Sequence, residues 1–142
     1  MVHARLKAAE ENSGKLVALV RQQAKRLAEE QGKSLVLIDG SPGIGCPVIS
    51  SIAGATMVLV VTEPTLSGLH DLQRVADLTA HFSIPTGVCV NKYDLNQQIT
   101  DAIKAYCSEH ELSFIGEIPY DLVVVEALVH QRPVIEYLQD SI

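Results

Sequence analysis

Leu35-Val36-Leu37-Ile38-Asp39-Gly40-Ser41-Pro42-Gly43-Ile44-Gly45 is the stretch on which the fold of this chain turns. Four consecutive apolar residues suggest a strand buried on both faces, as in a parallel sheet covered by helices. Asp39 then stands at the carboxyl end of that strand, on the edge where open α/β sheets bind ligands, and a lone acid there can hold magnesium through water. The loop that follows is nearly bare of side chains, so Gly43 and Gly45 leave amides free to approach an anion such as a phosphate. The same residues admit a plainer reading, since an Asp after a strand also makes an Asx-turn or caps a helix, and glycines also serve tight turns.

Size and composition narrow the choices. With 142 residues, 47% of them hydrophobic and 4% aromatic, the chain matches one domain with an aliphatic core. A formal charge of -6, with no Lys or Arg cluster, argues against direct nucleic-acid binding. The three cysteines, Cys46, Cys89 and Cys107, give neither a disulfide framework nor a metal knuckle, which fits a reducing cytoplasm. The uncharged run from Gly40 to Thr62 is not a membrane span, because Pro42, Pro47, four glycines and three serines break it into a loop, a short helix and a strand.

Working outward from Asp39, Val2 to Leu6 reads as a short entering strand before the polar turn Glu10-Glu11-Asn12. Ser13 to Gln31 places Leu16, Val17, Val20, Ala24, Leu27 and Ala28 on one helical face, with Gly32 as its stop. Beyond the Asp39 loop, the pattern predicts a helix over Pro47 to Gly54 and a strand over Met57 to Thr62. Next come a helix over Ser67 to Phe82, with Leu69, Leu72, Ala76, Thr79 and Phe82 inward, and a strand over Thr86 to Val90. Asn96 caps a helix whose inner stripe is Ile99, Ile103, Tyr106, Cys107 and His110, and Ser113 to Ile118 forms a last strand. Asp121 caps a further helix against the strand preference of Val123-Val124-Val125, and Pro133 opens another. Strands alternating with helices imply a doubly wound, mostly parallel α/β sheet with helices on both faces.

In such a sheet four loops share the carboxyl edge: the Asp39 loop, Thr62-Glu63-Pro64, Asn91-Lys92-Tyr93-Asp94 and Pro119-Tyr120-Asp121. Asn91-Lys92-x-Asp94 suits a nucleotide base, with the amide bracing a loop or ring nitrogen, the Lys stem covering the ring and the Asp accepting from guanine. It is also a polar strand-to-helix turn. Glu63, Ser67 and Asp71 read as capping groups. The five histidines share no metal-ligand spacing. Cys89 and Cys107 read as core residues; Cys46, near a helix start, fits either packing or a stabilised thiolate.

Taken together, Glu11-Asn12-Ser13-Gly14-Lys15-Leu16, the Asp39–Pro47 segment, Thr62-Glu63-Pro64-Thr65-Leu66-Ser67-Gly68, Asn91–Asn96 and Ile118–Asp121 resemble the MinD/ParA superfamily of P-loop ATPases, and within it the ferredoxin-insert branch. The likeness runs from about Val2 to Tyr137. It implies a P-loop NTPase-like domain that binds ATP and magnesium, dimerises or otherwise self-associates, and carries 4Fe-4S clusters on an inserted segment that meets redox or iron-sulfur partner proteins. By the same likeness Asp39 matches the Walker B acid that holds magnesium, and Pro42 and Gly43 match the second switch. Asn91 and Lys92 match the base loop; Pro119, Tyr120 and Asp121 match the opposite wall of the base pocket.

Two parts of the pattern are missing from the sequence. There is no G-x-x-x-x-G-K-[ST] loop (Walker A), and Ser13-Gly14-Lys15-Leu16 is no substitute for it; the cysteine-rich insert is absent too. Residues 1–142 are therefore expected to form a single domain equivalent to the C-terminal part of such an ATPase. Alone it should neither bind ATP tightly nor hydrolyse it. A catalytically inactive interaction module with the same fold and a GTP-binding relative, resting on Asp94, are the alternatives. Loss of the P-loop strand should leave the Leu35–Ile38 and Met57–Thr62 strands either paired directly or paired across an oligomer.

Overall fold

The computed structural model describes residues 1–3 and 13–139. Its elements run in the order α1 (Ser13–Glu30), α2 (Cys46–Ile52), β1 (Val58–Thr62), α3 (Leu66–His81), β2 (Thr86–Asn91), a 3-10 turn (Tyr93–Leu95), α4 (Gln97–Glu109), β3 (Ser113–Ile118), α5 (Leu122–Val129) and α6 (Val134–Gln139). The three strands are parallel and ordered β1-β2-β3, so the α/β class holds. Most of the expected entering strand at Val2–Leu6, and the turn Glu10–Asn12, lie outside the described residues.

The chain divides into two compact units, Met1–Val60 with His70–Gly87, and Val61–Leu69 with Val88–Ile142. In the first, α1 packs on α2. Gly14 permits the approach, because a Cβ there would come within 3.1 Å of the Ser50 hydroxyl and 3.3 Å of the Cys46 Cβ. Arg21 Nη1 closes the pair by donating to the Ser50 carbonyl at 2.6 Å. Pro47 starts α2, where its missing N–H costs nothing. Val48 and Ile52 then join Ile84, Val58 and Leu78 in one apolar cluster. Gly32, in the left-handed region at φ +61, stops α1 as expected.

One expectation fails here. Leu35–Ile38 is not a strand: residues 35–41 have no regular structure, and Leu35 and Leu37 are 78% and 90% exposed. A strand exists through its neighbours' hydrogen bonds, and none of β1, β2 or β3 has this segment beside it. Direct pairing of Leu35–Ile38 with β1 is thus not what the chain does. Pairing across an oligomer is a separate matter.

In the second unit Val88 and Val90 of β2 are wholly buried, as are Thr100 and Ile103 of α4. The Thr100 hydroxyl satisfies itself on the Tyr93 carbonyl at 2.9 Å. Lys104 of α4 reaches Glu117 of β3 at 2.5 Å and lies 5.6 Å above the Phe114 ring. The Glu117 carboxylate, accepting from that ammonium, raises the Lys104 pKa. Asn96 and Asp121 cap α4 and α5 as expected: Asn96 Oδ1 accepts from the Ile99 amide at 3.2 Å, and Asp121 Oδ1 from the Val123 amide at 2.9 Å. The inner stripes are trimmed at their ends, with Leu27, Phe82 and His110 exposed.

Candidate functional site

Three of the expected loops meet at the carboxyl ends of the strands in the second unit. β1 ends at Thr62 and hands over to Glu63; β2 ends at Asn91 and hands over to Lys92; β3 ends at Ile118 and hands over to Pro119. Lys92 Nζ donates to Glu63 Oε1 at 2.6 Å, which ties the first loop to the second. Asp94 Oδ1 accepts the Tyr120 backbone N–H at 2.7 Å, which ties the second to the third. Lys92 itself has left-handed backbone angles, φ 57 and ψ 40, and caps the 3-10 turn. Asn91 is half-buried where β2 leaves the sheet. The result is a rim carrying the Asn91 amide, the Lys92 ammonium and the carboxylates of Glu63, Asp94 and Asp121, a mixed donor and acceptor set suited to a planar heterocycle.

The turn from β1 into α3 holds two residues whose roles the sequence did not disclose. The Thr65 hydroxyl accepts the Gly68 N–H at 2.9 Å and so caps the helix, the job expected of Ser67. Ser67 only meets Thr65, hydroxyl to hydroxyl, at 3.1 Å. Glu63 is engaged by Lys92, and Asp71 sits 3.7 Å from Arg74, so neither is the cap. A Cβ on Gly68 would collide with the Glu63 carbonyl and come within 2.8 Å of the Thr62 hydroxyl, which itself donates to the Gly68 carbonyl at 3.0 Å. Thr65-x-x-Gly68 has the spacing of a side-chain cap onto a third amide, and that spacing was the available signal.

Asp39, Pro42 and Gly43 belong to the first unit. All three are exposed and lie in irregular chain rather than at a strand end. Gly43, at φ +88 with open space around it, serves a turn that only glycine makes without strain. Cys46 is exposed at the start of α2, whereas Cys89 and Cys107 are buried, and burial pushes the Cys107 thiol up. Among the described residues no three or more of His, Cys, Asp and Glu gather as a metal site. None of the described helices is long and apolar enough to cross a membrane.

Comparison with solved structures bears on the fold. The MinD cell division protein of Aquifex aeolicus superposes with a TM-score of 0.66 at 18% identity, over 83% of this chain and 52% of that one. The cell division ATPase MinD of Pyrococcus furiosus does so with a TM-score of 0.65 at 19% identity, over 87% and 50%. The fold is MinD-like. No family model matches the sequence. Among curated proteins, the uncharacterized protein MJ0578 of Methanocaldococcus jannaschii is 29% identical over 119 residues, and MJ0579 of the same organism 24% over 120. The uncharacterized ATP-binding protein MJ0547 is 27% identical over 108 residues. The chain spans about 40% of the length of each of these relatives.

Proposed function

We propose that residues 1–142 form the base-recognising portion of a MinD-like, ATP-binding domain. The observation that supports this reading is the Asp94–Tyr120 hydrogen bond, which ties the Asn91-Lys92 loop to Pro119-Tyr120-Asp121, and we read those two loops as the walls of a base slot. In it Asn91 braces the slot or meets a ring nitrogen, the Lys92 stem covers a ring face, and Tyr120 with Asp121 lines the other side. The MinD-like fold and the ATP-binding relative support the assignment of nucleotide as ligand. Adenine is favoured over guanine by the ATP-binding relative.

Magnesium fits only as a partner of the nucleotide. Asp39 is the carboxylate that the MinD/ParA resemblance assigns to it, and magnesium is commonly held by one or two carboxylates, several waters and the substrate's own phosphates. Pro42 and Gly43 then form the switch turn beyond it. With no Walker A sequence between residues 1 and 142, the chain has no lysine-bearing loop to stabilise charge on a transferring phosphoryl group. Hydrolysis, cytoplasmic residence, self-association and coupling to 4Fe-4S proteins are therefore properties we assign to the complete protein.

Titration of 15N-labelled protein with adenosine and guanosine diphosphates tests this. Adenosine diphosphate at millimolar concentration should shift the amides of residues 91–94 and 119–121, with guanosine diphosphate weaker. Unmoved amides at both loops refute the assignment. A second reading, an interaction module on the same fold, is favoured by α5, which exposes Leu122, Leu128 and Val129. It predicts no response to either nucleotide.

A further inference from the structure

The Lys92 side chain is anchored at both ends. At its root the backbone takes left-handed angles, φ 57 and ψ 40, and the Lys92 carbonyl accepts the Leu95 N–H at 3.1 Å, so the 3-10 turn locks the kink in place. At its tip Nζ donates to Glu63 Oε1 at 2.6 Å. The residue that holds the tip is itself held. Glu63 precedes Pro64, which confines its backbone to the extended region, and its carbonyl accepts the Thr65 N–H at 2.8 Å across that proline. Such a three-residue turn suits the fixed φ of a proline at its centre. Thr62 and Pro64, on either side of Glu63, are buried, and the Thr62 hydroxyl donates to the Gly68 carbonyl at 3.0 Å. Two rigid turns, 29 positions apart at the paired residues, thus stretch one lysine stem between them.

The side chains of Lys92 and Glu63 are 37% and 48% exposed, and ion pairs in contact with water add little to folding stability. What the pair does is place the lysine. An untethered lysine has a flexible stem to order whenever a ring is to lie against its methylenes, so ordering it beforehand removes a cost of binding. We propose that Glu63 is a positioning residue for the ring of the bound nucleotide. It acts through Lys92, holding the ammonium so that the stem is laid out as a preformed face of the slot before the ligand arrives. The inference deepens the nucleotide reading above and rests on it. It gives the turn from β1 into α3 a share in ring affinity, and makes that share conditional on Lys92.

Adenosine, which carries the ring and no phosphate, separates this role from plain charge, since removing a carboxylate favours anionic ligands and leaves an uncharged one indifferent. Titrated into 15N-labelled protein and followed at the amides of residues 91–94 and 119–121, adenosine should bind Glu63→Ala about three- to tenfold more weakly than wild type, the loss expected when one long side chain must be ordered on binding. Glu63→Gln, whose amide oxygen still accepts from the ammonium, should fall between the two, and both variants should keep the wild-type urea midpoint. Lys92→Met removes the tethered group and keeps an apolar stem; adding Glu63→Ala to it should cost nothing further. Wild-type affinity in Glu63→Ala, a Glu63→Gln no better than Glu63→Ala, or an undiminished loss in the Lys92→Met background each overturns the inference and leaves the nucleotide reading intact. Wild-type amides that ignore adenosine overturn it too, and if they also ignore adenosine diphosphate the nucleotide reading falls with it.

Discussion

Two runs of branched apolar residues in this chain have opposite fates. Thr86–Asn91 becomes β2, buried on both faces and flanked by β1 and β3, with Val88 and Val90 wholly out of solvent. Leu35–Ile38 is at least as hydrophobic, yet Leu35 and Leu37 stand in solvent and the segment has no hydrogen-bonded partner strand among the described residues. The side chains do not explain the difference; the neighbours do. A strand is stable when both ladders and both faces are occupied, and only β2 has them.

That contrast is sharpest in mutational cost. Val90→Ala in β2 should lower unfolding free energy by about 2–3 kcal/mol in urea denaturation, a cavity-forming loss. Leu37→Ala, a larger truncation on paper, should change it by less than about 0.5 kcal/mol. Equal costs would mean that the 35–38 segment is packed in solution. The next effect is smaller and contrasts two glycines. Gly68→Ala should cost about 1–3 kcal/mol, because its methyl meets the Glu63 carbonyl and the Thr62 hydroxyl. Gly40→Ala, with nothing within 4 Å of its Cβ, should be near neutral in the same assay.

The smallest effect is on pH dependence and again separates packed from open chain. Burial raises the Cys107 pKa, so folding favours its neutral thiol; the stabilisation is complete below the ordinary thiol value of 9.0 and is lost as pH rises through the folded value. Lys104, raised chiefly by its bond to Glu117, loses its contribution in the same direction above 10.5. Stability should therefore decline on the alkaline side, and Lys104→Met should flatten the later part of the fall. In the native protein a thiol reagent should label exposed Cys46 well before Cys107.

Local signals in the sequence were legible where they needed no distant partner. Asn96 and Asp121 act through amides two or three residues on, and Ser113–Ile118 and Ser13–Glu30 stand where alternation and periodicity put them. Asp121's cap also outweighs the strand preference of Val123–Val125, which lie in α5. Of the two misses, one was non-local: the strand at Leu35–Ile38 required a neighbour on its ladder. The other, the cap at Thr65, was local, and its three-residue spacing to Gly68 was there to be read. At the rim, the residues of the base loop and the Pro119–Asp121 wall were recognisable as a pattern. Their linkage was not, since the Asp94–Tyr120 and Lys92–Glu63 bonds join residues 26 and 29 positions apart.

Lys92 shows what such linkage is for. A side chain larger than glycine pays about 1–2 kcal/mol to hold left-handed backbone angles, and glycine or asparagine would relieve that cost. Its long cation is thus aimed by the kink of the main chain, before any rotamer is chosen. A visitor that draws the ammonium away from Glu63 would find the lever already cocked, with the turn beneath it unmoved.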